Sequence, residues 1–194
     1  MSRLDARRNR DRIVAAAAEV FREHGATAPL GLVAERAGVG RATLYRHFPD
    51  RRSLAVAVLD QRMTHLEGLA AAHPGPDRLE RLLVEIWAMQ LDAPGLIEAA
   101  RSEDGAAYPQ GPVTRTRDLL LAALELAHRH GTVRPGVGLG DLYLVIAMLD
   151  GVIEVRDRLP EGATLGSAMA VAIRGLRPAA RLDEPLPAPS AQRR

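Results

Sequence analysis

The chain reads as an all-α protein of about nine helices, and three observations lead to that class. It is 47% hydrophobic but only 3% aromatic, so its core rests on Leu, Val, Ile and above all Ala, a composition that suits closely packed helices better than sheets. Apolar residues recur at the helical period along most of its 194 residues, the primary signal for amphipathic helices. No segment alternates as a half-buried strand would, and no internal repeat is visible.

The elements follow in order. In RDRIVAAAAEVFREHG, residues Ile13, Ala17, Val20, Phe21 and His24 form one buried stripe, with Arg8, Arg12, Glu19 and Glu23 largely opposite, and Gly25 suits the position after a helix end. LGLVAERAG predicts a short second helix with Leu30, Val33, Ala34 and Ala37 on one face, ending at Gly38. After Val39 and Gly40, RATLYRHF predicts a third helix over 41–48, which Pro49 ends because the residue before a proline avoids helical backbone angles. Asp50 is positioned to cap a fourth helix running through Leu54, Val58, Leu59 and Met63 towards Leu69.

The turn HPGPD precedes a fifth helix with Leu79, Leu82, Leu83, Ile86 and Trp87 on one stripe. Ala93-Pro94-Gly95 breaks it, Leu96–Arg101 forms a short sixth, and SEDGAAYPQGP reads as a loop. The seventh helix is expected from Val113 to His130, the eighth from Asp141 to about Leu159, and the ninth from near Thr164 to Leu176. Residues 178–194, rich in Pro and Ala and without periodicity, are expected to be a disordered tail.

Charge is unevenly placed. Net charge is +2, yet residues 1–55 carry 11 Arg against 6 acidic residues while the remainder is net negative. A basic amino-terminal third suggests a polyanionic partner there. All 26 basic residues are Arg, however, and a genome-wide preference for arginine codons would give the same count, so that number alone does not identify a nucleic-acid binder. Absence of Cys excludes disulfides, thiolate nucleophiles and thiolate metal sites. The basic start MSRLDARRNRDR leads into no apolar signal core, and the apolar run Leu142 to Leu149 is too short to span a bilayer. A cytoplasmic protein without membrane contact is the expectation.

Two short helices joined by a tight glycine turn at 38–40 have the form of a helix-turn-helix. The second helix of that motif lies in the DNA major groove and offers its amino-terminal side chains to base edges. It needs only about two turns, which accounts for the early proline. Arg41 can grip guanine with both ends of its fork. Ala42 and Thr43 can meet a thymine methyl, Tyr45 a sugar or base, and Arg46, His47 and Arg51 are placed for phosphate or groove contact. Arg3, Arg7 and Arg8 are expected to form an arm along phosphates or into the minor groove. Taken singly, Arg41 and Arg46 read as solvated surface residues and Tyr45 as a packing residue. Their joint position behind the turn favours DNA.

At these residues the chain resembles the TetR-type repressors, the tetracycline-repressor family of bacterial regulators. AERAGVGRATLYRHFPDRRSLAVAVL keeps the family pattern Ile/Val-Ala-x-x-Ala-Gly-Val-Ser-x-Gly/Ala-x-Leu/Ile-Tyr-x-His/Tyr-Phe-x-x-Lys-x-x-Leu in register at Val33, Ala34, Ala37, Gly38, Val39, Leu44, Tyr45, His47, Phe48 and Leu54. It departs at Gly40, where the family has a serine cap, at Arg51 for lysine, and at Pro29, Leu30 and Gly31, where relatives begin the second helix with Thr or Ser and then a polar or basic residue. Helix-2 contacts to DNA are therefore not carried over. GTVRPGVGLGDL is weakly similar to the SbtR-like carboxy-terminal branch of the family.

The resemblance implies three regions: a DNA-binding domain over 1–60, a helical effector and dimerisation domain over 61–177, and the tail. It implies a ligand-responsive repressor that binds a palindromic double-stranded operator as a homodimer. Helices 8 and 9 of two subunits would form the dimer's four-helix bundle, with Leu142, Val145, Ile146, Leu149, Gly166 and Ala170 as interface candidates. It also implies a pocket for an unidentified small molecule, for which Trp87, Met89, Leu91, Tyr108, Met148, Asp150 and Glu154 are candidates, although each alone reads as a core or surface residue. No cofactor or metal is expected.

Two rival classes remain, a helical adaptor that binds protein instead of DNA and a helical enzyme. Against the enzyme, the sequence holds no HExxH, no GxSxG and no phosphate-binding loop, since GVGLG at 136–140 lacks the Lys-Ser/Thr ending. His128 and His130 stand two apart, so a helix points them in different directions.

Overall fold

The computed structural model describes residues 3–101 and 109–179, with side chains from Asp5 onward. These residues form α1 (Arg3–His24), α2 (Leu30–Arg36), α3 (Arg41–His47), α4 (Arg51–Ala72), α5 (Arg78–Asp92), α6 (Leu96–Ala100), α7 (Gln110–Arg129), α8 (Leu139–Glu154) and α9 (Leu165–Arg174). A single 3-10 turn, Arg156–Arg158, follows α8, and no strand occurs among the described residues. The fold is all-α, as its periodicity predicts.

The chain divides into two compact units, Met1–Thr64 with Asp92–Thr114, and His65–Leu91 with Arg115–Arg194. In the first, α1, α2 and α3 close around Ile13, Ala17, Val20, Phe21, Val33, Ala34, Leu44 and Phe48, joined by Leu54, Ala55 and Val58 of α4. Each of its large side chains that is sealed from water, such as Phe21 and Leu44, contributes roughly 1.5–3 kcal/mol of stability. Ala93, Leu96 and Ala100 join the same core, a placement of α6 that no local pattern announces.

Side-chain caps set the starts of α4 and α9. The Ser53 N–H donates to Asp50 Oδ1 at 2.6 Å and the Ser53 hydroxyl to the Asp50 carbonyl at 2.8 Å, so Asp50 caps α4. The Ser167 N–H donates to Thr164 Oγ1 at 3.0 Å and starts α9. Helix α8 begins two residues before the expected Asp141, whose carboxylate instead accepts from the Gly138 N–H at 2.7 Å. It also ends early, at Glu154. Helix α7 begins three residues before Val113 because Pro112 falls in its first turn, where a missing N–H costs no helical bond.

The first helix starts seven residues before the first residue of RDRIV, so Arg7 and Arg8 of the expected arm stand exposed on helical turns. Leu, Ala and Arg are good helix formers, and Asp5 in the first turn suits the positive end of the helix dipole. The Arg3 side chain lies outside the described residues.

In the second unit, the Arg115 guanidinium donates to both Glu67 oxygens at 2.7 Å. That pairing holds the Glu67 carboxyl below its ordinary range. After α9, the buried Arg177 donates to both oxygens of Glu80 at 2.6 and 2.5 Å. The expected tail beyond 179 lies outside the described residues.

Candidate nucleic-acid interface

The turn between α2 and α3 is built by local backbone bonding. Gly38 has φ +61°, its N–H donates to the Glu35 carbonyl at 3.0 Å, and the Val39 N–H donates to the Ala34 carbonyl at 3.0 Å. These two bonds make a Schellman ending, which needs a residue in the left-handed region and so favours glycine. The Arg12 guanidinium of α1 locks the turn from outside, donating to the Ala37 carbonyl at 2.6 Å. Gly40 then starts α3, its carbonyl accepting from the Thr43 and Leu44 N–H groups. Leu44 and Phe48 anchor α3 in the core, and the Arg10 guanidinium sits 5.2 Å from the Phe48 ring centroid.

Fixing those two residues inward decides what α3 shows to solvent. Arg41, Ala42 and Arg46 are exposed, Tyr45 is half exposed, and Thr43 is half-buried. This is a rigid two-turn rod whose outer face carries a guanidinium fork, a methyl, a phenol and a second guanidinium. Arg41 lies alongside the start of α2, where a Cβ at Gly31 would stand 3.3 Å from Arg41 Nη2. The glycine that departs from the family pattern thus leaves room for the expected base reader. Alanine at Arg41 should weaken binding to the preferred duplex by roughly 1–3 kcal/mol and relax one base position, as quantitative binding to single-base variants would measure. A uniform loss on all sequences would reassign Arg41 to phosphate.

Two other expected contacts are placed differently. The Arg51 Nη1 donates to the Ala26 carbonyl at 2.6 Å, so this side chain ties the start of α4 to the α1–α2 loop. His47 is half-buried with Nε2 enclosed and unpartnered, so that ring edge is not offered to a phosphate. Sequence reading assigned no role to Arg12 or Gly31, since their value lies in contacts 25 and 10 positions away.

The expected effector residues differ in exposure. Trp87 and Met89 are buried on α5 and Leu91 is half-buried. Met148 is 56% exposed, and Asp150 and Glu154 are exposed on α8. Tyr108 lies outside the described residues. Partial enclosure, and secondly the Glu154 carboxylate one turn on, push the Asp150 carboxyl up from its usual range. By surface area this side chain is open, so the like-charge neighbour is the cause that the geometry supports better.

The interface candidates divide the same way. Leu142, Val145 and Leu149 are buried within their own subunit, Ile146 and Ala170 are half-buried, and Gly166 is exposed. The outward stripe of α8 is Leu144, Met148 and Gly151, continued by Val155 just past its end, at four-, three- and four-residue spacing. With Val171 of α9, 72% exposed, it borders an apolar groove of about 410 Å³ lined by Met148, Val152, Ala168, Val171 and Ala172 among others. Among the described residues, no group of three or more His, Asp or Glu side chains is placed to hold a metal ion, and no helix is long and apolar enough to cross a membrane.

A short exposed helix held behind a glycine turn, on a three-helix core with a second helical unit, defines a helix-turn-helix regulator. Residues 13–58 match the profile of the bacterial regulatory proteins, tetR family. An uncharacterized HTH-type transcriptional regulator of Mycobacterium bovis is 28% identical over 177 residues, covering 84% of this chain and 92% of its own. A TetR transcription regulatory protein from Mycobacterium vanbaalenii is similar in structure with TM-score 0.60, 29% identity and coverage of 91% and 99% of the two chains. A structure described as the molecular basis for control of antibiotic production by bacterial hormones gives TM-score 0.62 at 25% identity, covering 87% and 97%. Residues 13–58 thus carry the tetR-family DNA-binding profile, and the chain is a DNA-binding transcriptional regulator similar to TetR-type proteins over most of its length.

Proposed function

We propose that the protein is a cytoplasmic, ligand-responsive repressor that binds a palindromic operator as a homodimer. The observation that carries this reading is α3 itself, whose outward residues Arg41, Ala42 and Tyr45 stand on a rod anchored by Leu44 and Phe48. One such helix reads few base pairs, so affinity calls for a second copy at a fixed distance. The apolar stripe of α8 and the groove beside it, unburied in the single chain, support a second copy as their occupant, since exposed apolar patches of this kind mark association surfaces.

A dimer holds two recognition helices at one spacing. Successive major grooves on one side of a duplex lie roughly 34–36 Å apart, so a shape change that alters the spacing weakens binding. A small molecule that binds one dimer shape better than the other shifts the population by that difference alone. Hormone control in a structural relative supports a small-molecule effector for this chain.

Selection of bound sequences from random duplex DNA, using the full chain, tests the reading. A palindrome with half-sites about one helical turn apart is expected, with affinity falling steeply as salt rises because phosphate contacts release counterions. Enrichment of single half-sites would remove the dimer. Enrichment of no sequence would favour the protein-binding adaptor.

A further inference from the structure

Three polar side chains are buried among the described residues: Glu85, Gln90 and Arg177. Two have hydrogen-bond partners, Glu85 in His65 at 2.8 Å and Arg177 in Glu80. Gln90 is not. Both its Oε1 and Nε2 are sealed without a hydrogen-bond partner, and so is the indole Nε1 of Trp87. The two residues are one turn apart on α5, and residues three apart share a helix face. They extend the buried stripe of Leu79 and Leu83, where another leucine would continue the pattern.

Buried polar groups in folded proteins nearly always find partners, and Gln at this position forgoes the stability that an apolar residue would supply. We propose that Trp87 and Gln90 are the polar anchors of the effector site and that the effector is an uncharged molecule with an apolar body bearing a carbonyl group. This rests on the ligand-responsive reading above. The indole N–H and the carboxamide N–H groups are donors that a carbonyl oxygen satisfies, while Gln90 Oε1 accepts from an adjacent N–H or O–H. Neither side chain can neutralise an ion, and the buried ions of this unit are already paired. A charged ligand would keep its desolvation cost there. The apolar stripe supplies the surface for the ligand's body.

Trp87 is the chain's only tryptophan, so its emission reports on the site directly. The full-length protein is titrated with decanamide, decanoate and decylammonium while Trp87 emission and release of the selected operator are followed. Decanamide is expected to shift the emission saturably and release the operator. Gln90→Leu should bind it at least about tenfold more weakly, and should melt at a higher temperature than the natural chain because the buried mismatch is gone. A lower melting temperature for Gln90→Leu, unchanged decanamide affinity, equal binding of either ion, or no saturable response to decanamide would each overturn the assignment. Operator release by decanamide that is the same in both proteins would keep ligand control and remove this site. An emission shift lost in Gln90→Leu but without operator release would keep the site and remove ligand control.

Discussion

Alanine at Gly38 is expected to destabilise the DNA-binding unit by about 2–4 kcal/mol and to abolish operator binding with it. Gly38 holds φ +61°, where an L residue pays roughly 1–2 kcal/mol. Its new Cβ would also stand 2.9 Å from Arg12 Nη2. The flexible end of Arg12 must shift to clear it, which weakens its bond to the Ala37 carbonyl, and a hydrogen bond from a charged group is worth about 1.5–3 kcal/mol when lost outright. Against the roughly 5–15 kcal/mol that holds a typical domain together, this is a large fraction. Denaturant unfolding followed by circular dichroism measures it. Gly40→Ser is the control, because that site has a negative φ and nothing near its Cβ, and serine caps slightly better than glycine. Equal effects of the two substitutions would show that the Gly38 turn is not what holds α3.

The second large effect is expected at the outer face of the other unit. In the proposed dimer, Val171→Glu should separate the two copies and cost operator affinity about a hundredfold or more, with little change in the stability of the single chain. Val171 is 72% exposed within its own subunit, so the carboxylate costs nothing until a partner covers it. In a two-fold interface the same substitution occurs twice, and an unpaired charge removed from water is strongly unfavourable. Leu142→Ala offers the contrast. That side chain is fully buried, so its loss should cost roughly 2–5 kcal/mol of folding stability. Sedimentation at micromolar concentration separates the two outcomes. A Val171→Glu dimer would place the interface elsewhere.

Sequence reading and structure differ in an ordered way. The cap at Asp50, the glycine turn and the early stop at Pro49 were legible because each depends on residues within four positions, where backbone bonds and side-chain caps are local matters. The tie that Arg51 makes was not legible, for the opposite reason. A basic residue at a helix start suits phosphate, yet its Nη1 donates to the Ala26 carbonyl, which only folding brings there. Gln90 was overlooked because a lone amide in an apolar stripe looks like an interruption until its neighbours are known to leave it unmatched.

By itself, the sequence determined the all-α class and the helix-turn-helix, since periodicity and turn chemistry are written in adjacent residues. Only the tertiary structure decided which side of α8 turns inward. From Leu142 to Leu149 that helix is apolar all round, so the pattern of this run favours no face. Leu142, Val145 and Leu149 became core because other helices of the unit pack over them, and Leu144 and Met148 were left to water.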